Sequence, residues 1–192
     1  MTSDNLSWTS PFRDSEICLP LGATQYNCIG ARELHQSSYL KCGIDLTCSP
    51  NTSVFAVETG NVIAIETFFD NKKKPWISSS KAVLVSGPSG VVCYGNIEPE
   101  AHVSIGTRIE QGSRLGAVVP FFTKEAKSKN GQSRLRIELY RQHTTKRPKW
   151  HCNQASAPKS LLNPMPLLLP LIVTKITRRN PTLSSKLVGR PS

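Results

Sequence analysis

The residues in this chain best suited to chemistry are six cysteines and four histidines. Cys18, Cys28, Cys42, Cys48, Cys93 and Cys152 are even in number and irregular in spacing. A zinc site built from them would call for close pairs of the CxxC kind, and none exists; Cys42 and Cys48 have five residues between them. Free core thiols are an alternative, but an oxidised framework suits six cysteines in so small a chain better, its connectivity open. His102 and His143 fall on expected loops and His151 at the start of the C-terminal stretch, and all three read as surface residues rather than ligands. No Ser/His/Asp or Cys/His set is spelled out, and Cys42 has no identifiable base. Lys72-Lys73-Lys74-Pro75-Trp76 could stack on a nucleic-acid base, but lysine runs of this size are more ordinary at a solvated hairpin tip.

These residues need elements to position them, and from Gly43 onward the pattern is two-periodic. Ser53–Val57 and Asn61–Phe68 are β-rich runs separated by Glu58-Thr59-Gly60, which predicts a hairpin. Lys81–Ser86 and Val91–Tyr94 flank Gly87-Pro88-Ser89-Gly90, a second predicted hairpin. From Val103 to Gly116, glycine and apolar residues alternate about every three positions, the rhythm of tight β-corners. Ala117–Phe122 and Arg134–Tyr140 complete the strands. No stretch offers a capped helix, so the expectation is an all-β domain of about eight short antiparallel strands.

The chain carries 24 Lys and Arg against 13 Asp and Glu, a formal charge of +11. Residues 1–138 hold 14 of the cations and every acid, so the excess lies from Leu139 on. The expected organisation is a flexible leader at 1–17, a β domain at 18–152 and a Pro-rich basic tail at 153–192, disordered apart from the apolar run Met165–Val173, which could dock. The best apolar stretch, Leu161–Val173, has 13 residues with three prolines, too short and too broken to span a bilayer. Asn5-Leu6-Ser7 and Asn51-Thr52-Ser53 are glycosylation sequons, which suit export, whereas the polar Met1-Thr2-Ser3-Asp4-Asn5 start is not that of a secretory leader.

Gly43-Ile44-Asp45-Leu46-Thr47-Cys48-Ser49, Val54-Phe55-Ala56, Thr59-Gly60, the Val103–Gly116 glycine ladder and Ile137-Glu138 occur in a characteristic order. In that order they resemble the lysostaphin-type zinc endopeptidase domain and, more closely, with Cys18 in Glu-Ile-Cys, the leukocyte cell-derived chemotaxin family and its myeloid relatives. The resemblance covers roughly Cys18 to Tyr140 and implies a lysostaphin-like β core. The glycine ladder alone would also suit a lipoyl or biotinyl carrier, but the predicted hairpin tips contain no lysine to carry the group.

The resemblance implies a metal site, and at its positions this chain departs from the family. The H-x-G-x-D motif of the peptidases falls on Lys41 and Asp45, and their H-x-H on Arg134-Leu135-Arg136; a further position that often holds histidine falls near Asn96. Arginine is a permanent cation and lysine ordinarily one, without a lone pair for zinc, so only Asp45 is competent as a ligand. No cofactor is expected, and zinc only if the inactive reading is wrong; an insertion of Ser37–Cys42 would let His35, ten residues before Asp45, supply a ligand, but Arg136 would still occupy a ligand position. Two arrangements fit the residues present. In one, a basic side chain, Arg136 foremost, clamps Asp45; in the other, Lys41, Arg134 and Arg136 form an anion pocket.

The same resemblance implies a Cys18–Cys48 disulfide; Cys28–Cys42 and Cys93–Cys152 are paired only by parity. The function it implies is a secreted, catalytically inactive binding or signalling module that meets a protein receptor or extracellular ligand, with an anionic glycan among the candidates. Against it stand an active zinc metalloendopeptidase of the lysostaphin type and a polyanion binder acting through the basic tail. A nucleic-acid partner is disfavoured, because the excess charge lies outside the patterned domain.

Overall fold

The structure is a computed structural model that describes residues 7–13, 43–72, 75–123, 133–148, 158–168 and 170–171. Among them are nine strands in one antiparallel sheet: β1 (Ile44–Cys48), β2 (Ser53–Phe55), β3 (Gly60–Phe69), β4 (Ser80–Gly87), β5 (Gly90–Pro99), β6 (Arg108–Ile109), β7 (Arg114–Val118), β8 (Ser133–Tyr140) and β9 (Leu161–Leu162). The spine runs β1-β8-β5-β4-β3-β6, with β7 joining β5 to β2 and β9 lying on β8. The all-β expectation from two-residue alternation therefore holds. No helix among the described residues is long and apolar enough to cross a membrane.

Alternation gives the central strands two different faces. Val83 and Val85 of β4, Val92 and Tyr94 of β5, and Leu135, Ile137 and Leu139 of β8 enter the main core with Ile44 and Leu46 of β1. Val54, Leu115 and Val118 close that core from β2 and β7. The opposite face carries a smaller apolar cluster of Ala64, Ala82, Leu84, Val91, Cys93 and Tyr140. The Gly87–Gly90 hairpin forms as expected, with Gly87 and Gly90 paired across it.

Three expectations need correction. Ser53–Val57 does not form a hairpin with Asn61–Phe68: β2 pairs with β7, while Gly60 and Asn61 pair with β6. The chain cannot fold straight back there, because the amide of Val57 donates to the buried Tyr94 hydroxyl and that of Ala56 to Ser113. Within the expected leader, residues 7–13 are docked: Trp8 and Phe12 are each 4% exposed in the core, and Thr9 and Pro11 bond the backbone of Val57 and Phe55. Nor does a tail begin at 153 throughout, since Leu161 of β9 is buried; Leu168, in a short helical stretch at 165–168, is buried within the run expected to be able to dock. Apolar side chains spaced too irregularly for a strand or helix pattern still gain by leaving water.

Candidate functional site

The motif Gly43-Ile44-Asp45 is shaped by its glycine. Gly43 has φ of +83°, and a Cβ there would collide with the carbonyl oxygen of Ile137. Glycine thus lets the chain enter β1 close against β8, which sets the register Ile44↔Ile137, Asp45↔Arg136, Leu46↔Leu135 and Thr47↔Arg134. Asp45 and Arg136 are direct cross-strand partners, and because Ile44 and Leu46 face the main core, Asp45 must face the other side.

On that side Arg136 grips Asp45 in a two-point fork, Nε to Oδ1 at 2.6 Å and Nη2 to Oδ2 at 2.8 Å. Arg134 approaches Oδ2 at 3.4 Å and lays its guanidinium 4.0 Å from the Phe121 ring centre. Asp45 is 2% exposed. Burial opposes the Arg136 charge, but Asp45 outweighs it, and the guanidinium is held above its usual range. The geometry at these residues is that of the clamp.

Two residues further along β8, Glu138 is wholly buried and anchors a second fork that sequence reasoning missed. Arg147 donates to it through Nε at 2.7 Å and Nη2 at 2.9 Å, and the Tyr140 hydroxyl donates at 2.7 Å. Arg147 also lies 4.5 Å from the centre of the Phe68 ring and bonds Glu66 through its backbone amide. A Cβ on Gly95, the partner of Arg136 on β5, would run into that same ring. Phe68 therefore lies against the sheet beside the charged pairs. Glu138 was legible as a face-mate of Arg136 by two-residue alternation; nothing in the pattern marks Arg147, which arrives from a loop.

Asn96 occupies a bulge in β5, with φ of +68° and no exposed surface. Its amide donates to the carbonyls of Val119 at 3.0 Å and Arg134 at 2.8 Å, pinning the place where β5 changes partner from β8 to β7. Its Oδ1 has no hydrogen-bond partner among the described residues. Cys93, also wholly buried, has its thiol pushed up by burial and further by Glu138, the opposite of what a nucleophile needs. Cys48 and Cys93 form no disulfide among the described residues, and their expected partners Cys18 and Cys152, like Cys28, Cys42, Lys41, His35 and His151, lie outside them. His102 and His143 are exposed, as expected.

Zinc does not fit the residues that are described. Both oxygens of Asp45 are engaged by guanidinium groups, and the neighbouring Arg134 and Arg136 offer donors without lone pairs. Among the described residues no three His, Cys, Asp or Glu side chains are grouped to hold a metal ion.

No family model matches the sequence, and no curated protein does. Among solved structures, ten chains match. The chain is similar to Helicobacter pylori Csd3, at 14% identity and a TM-score of 0.44 over 97% of this chain. It spans 44% of the Csd3 chain. It is also similar to a mutant catalytic domain of the prophage-encoded M23 protein EnpA from Enterococcus faecalis, at 13% identity and a TM-score of 0.45, covering 82% of this chain and 95% of that one. A third similarity is to a chain of the SpoIIQ–SpoIIIAH pore-forming complex, at 16% identity and a TM-score of 0.44, covering 78% and 93%.

Proposed function

We propose that this chain is a catalytically inactive binding or signalling module on a lysostaphin-like peptidase fold, of the kind its resemblance to the chemotaxin family implies, acting outside the cell on a protein receptor or extracellular ligand. One observation carries the reading: Asp45 is held on both oxygens by Arg136, from a position where the peptidase pattern supplies a metal-binding histidine. A guanidinium cannot ligate zinc, and its fixed charge repels a dication. A zinc-bound water, the nucleophile of that peptidase chemistry, has no place to form.

Zinc titration of the purified chain with metal analysis tests this directly. The expected result is no stoichiometric uptake and no cleavage of glycine-containing peptides; one zinc per chain would overturn the proposal. Arg136→Ala separates the clamp from an anion pocket. Lost stability with unchanged heparin or phosphate affinity is the expected outcome, while unchanged stability with lost anion binding would assign the cluster to ligand capture. The clamp is favoured because Arg136 commits Nε and Nη2 to Asp45 and stands 4.0 Å from Glu138, which would repel an added anion.

A further inference from the structure

The turn between β1 and β2 places one of the two sequons at a solvent-facing corner. Ser49 accepts a hydrogen bond from the amide of Thr52 at 3.3 Å, closing a β-turn with Pro50 and Asn51 at its centre. Asn51, at the third position of the turn, has φ of +64°, a left-handed conformation that asparagine tolerates better than most residues. Its backbone amide is fixed to the Val118 carbonyl at 2.8 Å, whereas its side chain is exposed and bonds nothing in the described structure. Thr52 is buried, 6% exposed, and so anchors the turn from below. Ser53, the hydroxyl residue of the sequon, is half-buried at the start of β2 and bonds no side-chain partner among the described residues.

We infer that Asn51 is an N-glycosylation site. The substrate class is a lipid-pyrophosphate-linked oligosaccharide. Asn51 Nδ2 forms a bond to C1 of the first sugar, the bond from C1 to the pyrophosphate oxygen breaks, the lipid pyrophosphate leaves, and Nδ2 gives up one proton. The folded domain accepts the product because a bulky glycan at this corner displaces no packed side chain, and the backbone bonds of Asn51 and Thr52 do not involve the modified amide. Asparagine in a rigid turn would alone be a turn preference; the hydroxyl residue two positions on adds the acceptor requirement. The inference rests on the proposal that the chain is exported.

The test is synthesis of the full chain behind a cleavable leader with microsomes. Protease protection reports entry into the lumen, and peptide N-glycosidase in heavy-oxygen water marks each modified asparagine as a labelled aspartate. The expected result is protected chain labelled at position 51, one glycan lost in Asn51→Gln, and one lost in Ser53→Ala with Asn51 intact. Protected chain without label at position 51 would overturn the site and leave export standing. Chain that stays protease-sensitive would overturn export and the site with it.

Discussion

Asp45 and Glu138 are both buried carboxylates on one face of one sheet, and each is forked by an arginine. They differ in how the arginine arrives. Arg136 is fixed opposite Asp45 by strand register, and a second cation, Arg134, stands 3.4 Å away. Arg147 reaches Glu138 from the loop after β8, held by Phe68 and Glu66, and Glu138 has no exposed surface. Register supplies a partner by backbone pairing, while a loop partner depends on its own contacts. The first arrangement has a second cation at 3.4 Å, whereas the only other cation beside Glu138 among the described residues is Arg136, at 4.0 Å and already forked to Asp45.

The largest effect is therefore expected at Glu138. Arg147→Ala strands a carboxylate in the interior, and breaking a buried pair from one side costs about 3–5 kcal/mol. Urea unfolding should show that loss in the midpoint, and the Glu138→Gln, Arg147→Met double variant should recover most of it, since the amide still accepts from Tyr140. A double variant no better than the single one would mean that Arg147 acts through its Phe68 contact rather than its charge.

Arg136→Ala should cost less, about 2 kcal/mol, the scale of losing hydrogen bonds to a charged group while a second cation remains. Adding Arg134→Ala should then cost more than Arg134→Ala does alone, because the two cations substitute for one another at Asp45. Simple additivity of the two losses in unfolding measurements would mean that Arg134 does not stand in for Arg136 at Asp45.

The asymmetry between the pairs also explains what was legible beforehand. The all-β class followed from alternation in β3, β4, β5 and β8, and the pairing of Arg136 with Asp45 was one of two arrangements weighed at the positions that the peptidase resemblance implies. The Glu138–Arg147 fork was not legible, because side-chain contact between a strand and a loop leaves no periodic trace. The same holds for Trp8 and Leu161, buried by segments that read as leader and tail. The β2 to β3 hairpin was misjudged for a related reason: Glu58-Thr59-Gly60 has turn chemistry, but Gly60 is needed for close approach to the backbone of Ser86, where a Cβ would clash.

A third buried carboxylate has no arginine among its partners in the described residues, and its variant is expected to change stability least. Glu58 is 5% exposed and has neutral donors only: Trp8 Nε1 at 3.1 Å, Ser89 Oγ at 2.7 Å and the Ser89 amide at 3.3 Å. Burial, the largest influence, raises its carboxyl above the ordinary 4.5 although these bonds pull the other way. The folded chain thus holds this proton more tightly than the unfolded chain, so the linked stabilisation is full below the unfolded value and is lost as pH rises through the folded value. Glu58→Gln keeps an acceptor for Trp8 and Ser89 but has no proton to lose. Unfolding measured across that window should show wild-type stability falling, relative to Glu58→Gln, as pH rises, by less than either arginine variant costs. Parallel profiles would mean that three neutral donors stabilise the charged form as fully as water does, and that a guanidinium is not what distinguishes Asp45 and Glu138.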